Sequence, residues 1–323
     1  MTARPPYDRT AVRPAWAELP AEVRDLVADQ AGSAVVRADV AGGGFTRGFA
    51  GLLGLADGTE LFVKAASEEE RPVAHRSYRT EADVLRVLPG AVPAPRLRWT
   101  DEVGPWVVLG IEPVRGRMPG LPWTDVDVDR AVATCEQLAD ALHPAPPGLA
   151  LDRLADESEG DGAWLRWYAS VASGELVSDL LSPWAQRSLP ELHRLLSVSG
   201  AAVDGDTACH GDLRADNMLL GPAGQVWVCD WNWLLLAAPW TDAVGLLVTA
   251  HADGVDVDAA LARSMLLDGV DPEAVDAWLA LLAAFMCGQA AAPPPDFASS
   301  WLAAHRAYYG TAALSWLEHR RTR

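Results

Sequence analysis

The stretch "CHGDLRADNMLLGPAGQVWVCDWN", residues 209–232, decides the fold. Asp212 is followed five positions on by Asn217, and thirteen further on by Asp230. The residues before Asp212 and before Asp230 are apolar and strand-like, and "GPAG" reads as the turn in a short strand region spanning about 207–230. A strand that ends on a charged residue leaves it at the rim of a sheet, where it can face a ligand. Asn217 and Asp230 then place two metal-liganding oxygens around a hairpin. A hard cation such as Mg²⁺ takes few protein oxygens and leaves room for phosphate.

Upstream, three strands are expected in "SAVVRADVAGGG", "GFAGLLGLADG" and "TELFVKAA", with "ADGT" as a hairpin turn. A helix over residues 14–31 precedes them and stops at Gly32. Residues 71–88 turn helical, with Tyr78, Ala82, Leu85 and Leu88 on one face. "RLRWTDEVG" and "PWVVLGIEP" complete five strands. Downstream, helices are expected over 127–143, 164–181 and 190–199, and from about Thr241 to the end. The expected class is α+β and bilobal. Residues 1–110 form an antiparallel-sheet lobe, 111–118 a hinge, and 119–323 a mostly helical lobe.

One basic residue stands out. Of 26 Lys and Arg, 25 are arginine and only Lys64 is lysine, in the apolar run "LFVKAAS". A compact ammonium on a flexible stem reaches from a strand to phosphate oxygens in a way that a planar guanidinium does not.

The pattern His-x-Asp-x-x-x-x-Asn followed by a strand-borne Asp resembles the catalytic loop and metal-binding Asp of the protein-kinase-like fold. "HGDL", with "DW" replacing Asp-Phe-Gly, is similar to the aminoglycoside phosphotransferase family of small-molecule kinases. "PWTD", ending in Asp242, also matches that family. The resemblance covers roughly residues 33–305 and implies a role for each matching residue. Asp212 would orient or accept the acceptor's proton, and Asn217 and Asp230 would hold Mg²⁺. Lys64 would bind nucleotide phosphates beside its partner Glu81. Arg214 would stabilise the transferred phosphoryl group, or else be a solvated surface arginine. His210 and Asp242 would brace the catalytic loop. Gly43 and Gly44, in the turn "AGGGFTRG", would lay backbone N–H groups on phosphate. The hinge at Glu112 and Val114 would meet the base of ATP or GTP, with Val114 as N–H donor because Pro113 has none. Two positions depart from the family pattern. Asn232 follows "DW" where an acid is common, and Asp216 replaces a common Gly, adding charge that could meet a cationic substrate.

The net charge of −18 argues against nucleic acid and anionic membranes. It suits a cationic acceptor, or serves solubility alone. An acidic set in the last third (Asp253, Asp256, Asp258, Asp268, Asp271, Glu273 and Asp276) would form a wall attracting such an acceptor, or a solvated helix face. Trp231, Trp233 and Trp240 would stack on a ring or pack in the core. Four cysteines without CxxC spacing read as buried hydrophobes in a reducing compartment. The absence of an apolar leader points to the cytoplasm. The apolar part of residues 277–295 reads as a buried helix too short to span a bilayer. The expected activity is transfer of a γ-phosphate to a hydroxyl of an aminoglycoside-like or other basic antibiotic. A sugar, amino alcohol or nucleoside kinase is the alternative, and a silent nucleotide-binding module a further one. No Ala-Pro-Glu-like segment follows Asp230, so a protein kinase is disfavoured.

Overall fold

The computed structural model describes residues 2–120, 122–159 and 163–323. A first helix, α1 (Ala21–Ala31), is followed by β1 (Val35–Val40), β2 (Phe49–Leu55), β3 (Glu60–Ser67), α2 (Pro72–Val87), β4 (Leu97–Val103) and β5 (Trp106–Ile111). The five strands form one antiparallel sheet in the order β1-β2-β3-β5-β4. Helices then dominate: α3 (Asp125–Ala141), α4 (Leu154–Glu159), α5 (Trp167–Ala172), α6 (Pro183–Arg187) and α7 (Leu189–Val203). Four three-residue strands carry the central motif: β6 (Thr207–Cys209), β7 (Met218–Leu220), β8 (Val226–Val228) and β9 (Leu235–Ala237). Last come α8 (Thr241–Ala252), α9 (Val257–Leu261), α10 (Pro272–Ala290) and α11 (Trp301–Thr322). The expected bilobal α+β arrangement is therefore the one observed.

Strand alternation sorts the sheet's two faces. Leu61, Val63 and Ala65 of β3 join Phe49, Leu53 and Val108 in a core closed by Leu19, Val23 and Val27. Ala66, Val107, Leu109 and Ile111 face the other way, into a core that includes α2 and continues through the helical lobe. Lys64 shares that second face and points toward α2 rather than into the dry outer core.

Two expected helices differ. Residues 14–31 hold a 3₁₀ turn at Trp16–Glu18 and then α1, because Pro20 has no N–H and keeps Leu19 extended (ψ 148°). The stretch 164–181 is broken into a 3₁₀ turn, the six-residue α5 and an extended segment, with Gly174 turning the chain at φ 77°. By contrast α10 is longer than its apolar run suggests: Pro272 opens it and the Asp271 side chain caps it by accepting from Glu273 N–H. Among the described residues α10 alone is long and apolar enough to cross a membrane, yet half of its apolar window is buried inside the protein. It packs between α7 and α11. The four cysteines are free thiols, and Cys135, Cys209 and Cys287 are buried.

The α10–α11 contact is closest at Gly310, where a Cβ would meet Cys287 Sγ at 2.5 Å and Cys287 N at 3.0 Å. Ala normally stabilises a helix interior over Gly, but here overpacking reverses the sign. Gly310→Ala is expected to destabilise by about 1–3 kcal/mol in denaturant unfolding. A gain in stability would show that the two helices separate freely.

Candidate active site

Lys64 links the two lobes. Its Nζ lies 2.6 and 2.8 Å from the two carboxylate oxygens of Glu81 in α2. It lies 2.7 Å from Asp230 Oδ1, which the helical lobe contributes. Burial disfavours the ammonium, but Asp230 and Glu81 outweigh it and raise Lys64 above its ordinary range. Burial also works against the Asp230 carboxylate, yet Lys64 holds its pKa down at about 2. Asp230 is, among the described residues, the one non-glycine in the left-handed region, at φ 69°. That backbone strain is typical of functional positions.

The catalytic loop is braced from below. Asp242, at the start of α8, accepts the N–H of His210 at 2.6 Å and of Gly211 at 3.1 Å. Asp212 N–H donates to His210 Nδ1 at 3.3 Å, so the other ring nitrogen, Nε2, is the donor to Cys229 carbonyl at 3.0 Å. His210 is thus a strut between two strands rather than an acid or base. Trp231, fully buried, donates from its indole to the Val228 carbonyl at 2.7 Å and packs on His210. Asn217 donates its amide to the Asp212 carbonyl at 2.8 Å, which leaves Oδ1 as the atom able to face a cation.

Arg214 is no surface residue. Its side chain is 14% exposed and pairs with Asp212, and it holds Asp216 by Nε at 3.0 Å and Nη2 at 3.2 Å. Phe45 stacks over its guanidinium. Asp216 is therefore a buried partner of Arg214, 3% exposed. It does not face solvent for a cationic substrate. Burial raises the Asp212 carboxyl, and the charges of Asp216 and Asp230 add to this while Arg214 and His210 oppose it.

The Gly-rich turn and the hinge are only partly as expected. The carbonyls of Gly43 and Gly44 accept from Arg13 and Thr10, while their N–H groups have no partner among the described residues. The Glu112 N–H is already taken by the Arg96 carbonyl at 2.8 Å, so only its carbonyl remains for a base. The Val114 N–H has no partner among the described residues.

Three groups at the site were not legible in the motif: Arg13, Tyr78 and the segment 2–13 that carries Arg13. Tyr78 was read only as a face residue of its helix; its ring lies 5.4 Å from Lys64 Nζ. Its place one turn before Glu81 was the available signal.

The family model described as "Phosphotransferase enzyme family" matches residues 52–269, two thirds of the chain. The chain belongs to that family. Among solved structures, choline kinase LicA from Streptococcus pneumoniae is 13% identical over 91% of this chain and 99% of its own, with a TM-score of 0.59. A thermostable mutant of aminoglycoside phosphotransferase APH(4)-Ia, in ternary complex with AMP-PNP and hygromycin B, is 13% identical over 93% of this chain and 99% of its own, with a TM-score of 0.58. At these identities the likeness establishes the fold. No curated protein matches the chain by sequence.

The phosphotransferase does not present the expected acidic wall. Asp253 pairs with Arg4, Asp258 with Arg320, and Glu273 with Arg194. Asp276 is buried between Arg320 and Arg321. Asp256 and Asp271 cap helices. These carboxylates answer the chain's own arginines and N–H groups, and so lose much of their pull on a substrate. Trp231 and Trp240 are core residues, whereas Trp233 is 61% exposed.

Removing Asp242 would orphan two N–H groups of the catalytic loop, that of the buried His210 and that of Gly211. Asp242→Ala is expected to cost about 2–4 kcal/mol and to abolish activity, measured by thermal unfolding and turnover together. An unchanged melting temperature would remove Asp242 from its bracing role.

Proposed function

We propose that this phosphotransferase moves the γ-phosphoryl group of ATP or GTP to a hydroxyl of a small, basic molecule. The observation that carries it is Lys64 Nζ within 2.8 Å of both Glu81 and Asp230, which brings the sheet lobe and the catalytic loop to one point. Phosphoryl transfer needs alignment and charge neutralisation more than covalent chemistry. Lys64 would bind the nucleotide phosphates, oriented by Glu81. Asp212 would accept or orient the proton of the attacking hydroxyl. Arg214 would stabilise charge on the transferred group, held for that purpose by Asp216 and Phe45. Gly43, Gly44 and Val114 offer unpartnered N–H groups, and Glu112 its carbonyl, to the nucleotide.

Asn217 and Asp230 would hold Mg²⁺. One amide oxygen and one carboxylate suit a cation that keeps waters and takes phosphate oxygens. No cluster of three or more His, Cys, Asp or Glu with metal-ligand geometry occurs among the described residues. The cation would neutralise charge on the phosphates.

For the acceptor, the fold neighbours name hygromycin B and choline, both cationic. An aminoglycoside-like antibiotic is the first reading. The exposed indole of Trp233, three residues past Asp230, favours a compact amino alcohol as the second, because an aromatic face attracts an ammonium. The acidic residues support either only through overall charge, since most are already paired.

A nucleotide-consumption screen against aminoglycosides, amino alcohols, sugars, nucleosides and peptide antibiotics should find an acceptor that stimulates turnover above water. If none does, the chain is a nucleotide-binding module. Asp212→Ala should lower turnover about 10²- to 10⁴-fold while nucleotide binding persists. Transfer at near-normal rate would exclude Asp212.

The pH dependence has a defined sign. The Asp212 carboxyl must be ionised to take a proton, and burial raises it, so the acid limb of kcat/KM should lie above the ordinary aspartate value of 3.8. Arg214 opposes that rise, so Arg214→Gln should move the limb to still higher pH, besides lowering kcat. A limb that stays put or moves down would show that Asp212 does not titrate in catalysis.

A further inference from the structure

The N-terminal segment crosses the cleft and touches both lobes. Arg4 donates to Tyr308 Oη at 3.0 and 3.1 Å and to the Gly120 carbonyl at 2.9 Å, and it pairs with Asp253. Tyr7 is buried, with its hydroxyl 2.9 Å from His305 Nδ1. The Thr10 carbonyl accepts from Ser299 Oγ at 2.5 Å, and Ala11 N–H donates to the Gly42 carbonyl at 2.8 Å. The segment then delivers Arg13 beneath the Gly-rich turn. Arg13 Nη1 donates to the Gly48 carbonyl at 2.8 Å and to Tyr78 Oη at 3.2 Å, and Nη2 donates to the Gly43 carbonyl at 3.1 Å.

We propose that Arg13 is a second phosphate-recognising cation of the nucleotide site, acting beside Lys64. The inference rests on the nucleotide reading above and adds a residue outside the stretch matched to the family, which begins at residue 52. Three observations carry it. First, Arg13 lacks an anion. Arg214 and Arg320, the well-buried arginines, each hold two carboxylates. Arg13 is partly buried and pairs with no carboxylate among the described residues. Second, its Nε is buried without a hydrogen-bond partner. A buried N–H left unpaired is costly, and a phosphate oxygen would satisfy it. Third, Arg13 and Lys64 share Tyr78: the hydroxyl takes Arg13 while the ring faces the Lys64 ammonium. Arg13 is near enough for its charge to help keep Asp230 and Glu81 ionised.

The Gly-rich turn is shaped to this guanidinium. Gly44 has φ 101°, and a Cβ there would meet Arg13 Nη2 at 2.8 Å. A Cβ at Gly48 would meet the Tyr78 hydroxyl at 2.6 Å. The turn's carbonyls bind Arg13, which leaves the Gly43 and Gly44 N–H groups and the spare guanidinium N–H for the same phosphates.

The alternative is a clip that holds the turn shut and never touches nucleotide. Isothermal titration of ATP, GTP, adenosine and guanosine into the full chain, wild type, Arg13→Gln and Arg13→Lys, separates the two. Arg13→Gln should weaken triphosphate binding about 10- to 100-fold while nucleoside affinity changes less than about twofold. Arg13→Lys should recover part of the loss, because the charge remains. Tyr78→Phe keeps the Lys64-facing ring but frees Arg13, and should produce a smaller loss, about 3- to 10-fold, again confined to triphosphate. Intact nucleoside binding certifies that each variant is folded. Equal losses for nucleoside and triphosphate, or no loss for triphosphate, overturn the assignment and leave the nucleotide reading in place. A wild-type chain that binds neither ATP nor GTP overturns both.

Discussion

The ion pair of Lys64 with Glu81 and Asp230 is the constraint on which the rest depends. It joins a strand of one lobe, a helix of the same lobe and a strand end of the other. Lys64 and Glu81 are removed from bulk water and Asp230 partly so, and neither of the two buried charges is stable there without a partner. The pleat of β3 makes the geometry possible, because the neighbours of Lys64 in sequence point into a core that would not accept a charge. An arginine at 64 would bring a wider, planar head to a space defined by two carboxylates and a tyrosine ring. A chain that uses arginine for every other positive side chain keeps lysine here.

The opposite wall of the cleft is rigid for a different reason. Asp212 and Asp230 lie on short connections, and three-residue strands supply little stiffness. Stiffness comes from hydrogen bonds between backbone and buried side chains. Asp242 binds two loop N–H groups, His210 and Trp231 each reach a carbonyl in or just beyond β8, and Asn217 binds the carbonyl of Asp212 itself. The groups free to meet a ligand are those whose other atoms are already tied down.

Much of this was legible in the sequence. The five strands and α2 follow from local patterns, whereas the pairing of Lys64 with Glu81 and the bracing of the loop by His210 and Asp242 were implied by the family resemblance that the motif spacings carry. Most of the errors concern partners distant in sequence. Asp253 and Asp276 read as a wall because Arg4, Arg320 and Arg321 lie 44 to 249 positions away, and no local pattern shows that they fold onto these acids. Asp216 read as exposed because its pairing with Arg214 depends on a 3₁₀ turn at Ala215–Asn217. Glu112 read as hinge backbone facing the base, but its N–H is taken by the carbonyl of Arg96, on the neighbouring strand's approach. Arg13 was hidden in a Pro- and Arg-rich stretch without periodicity, and only the folded chain brings it under Gly48.

The solitary lysine has a chemical corollary. Apart from whatever amine terminates the chain, the surface offers no ε-amino nitrogen. Acylating, carbamylating or glycating reagents therefore have one side-chain amine to attack, and that amine is inside the cleft and held as a cation. Damage of this kind would not accumulate gradually over the exterior. It would arrive as a single event, slow while the ammonium keeps its carboxylate partners and faster when the lobes part.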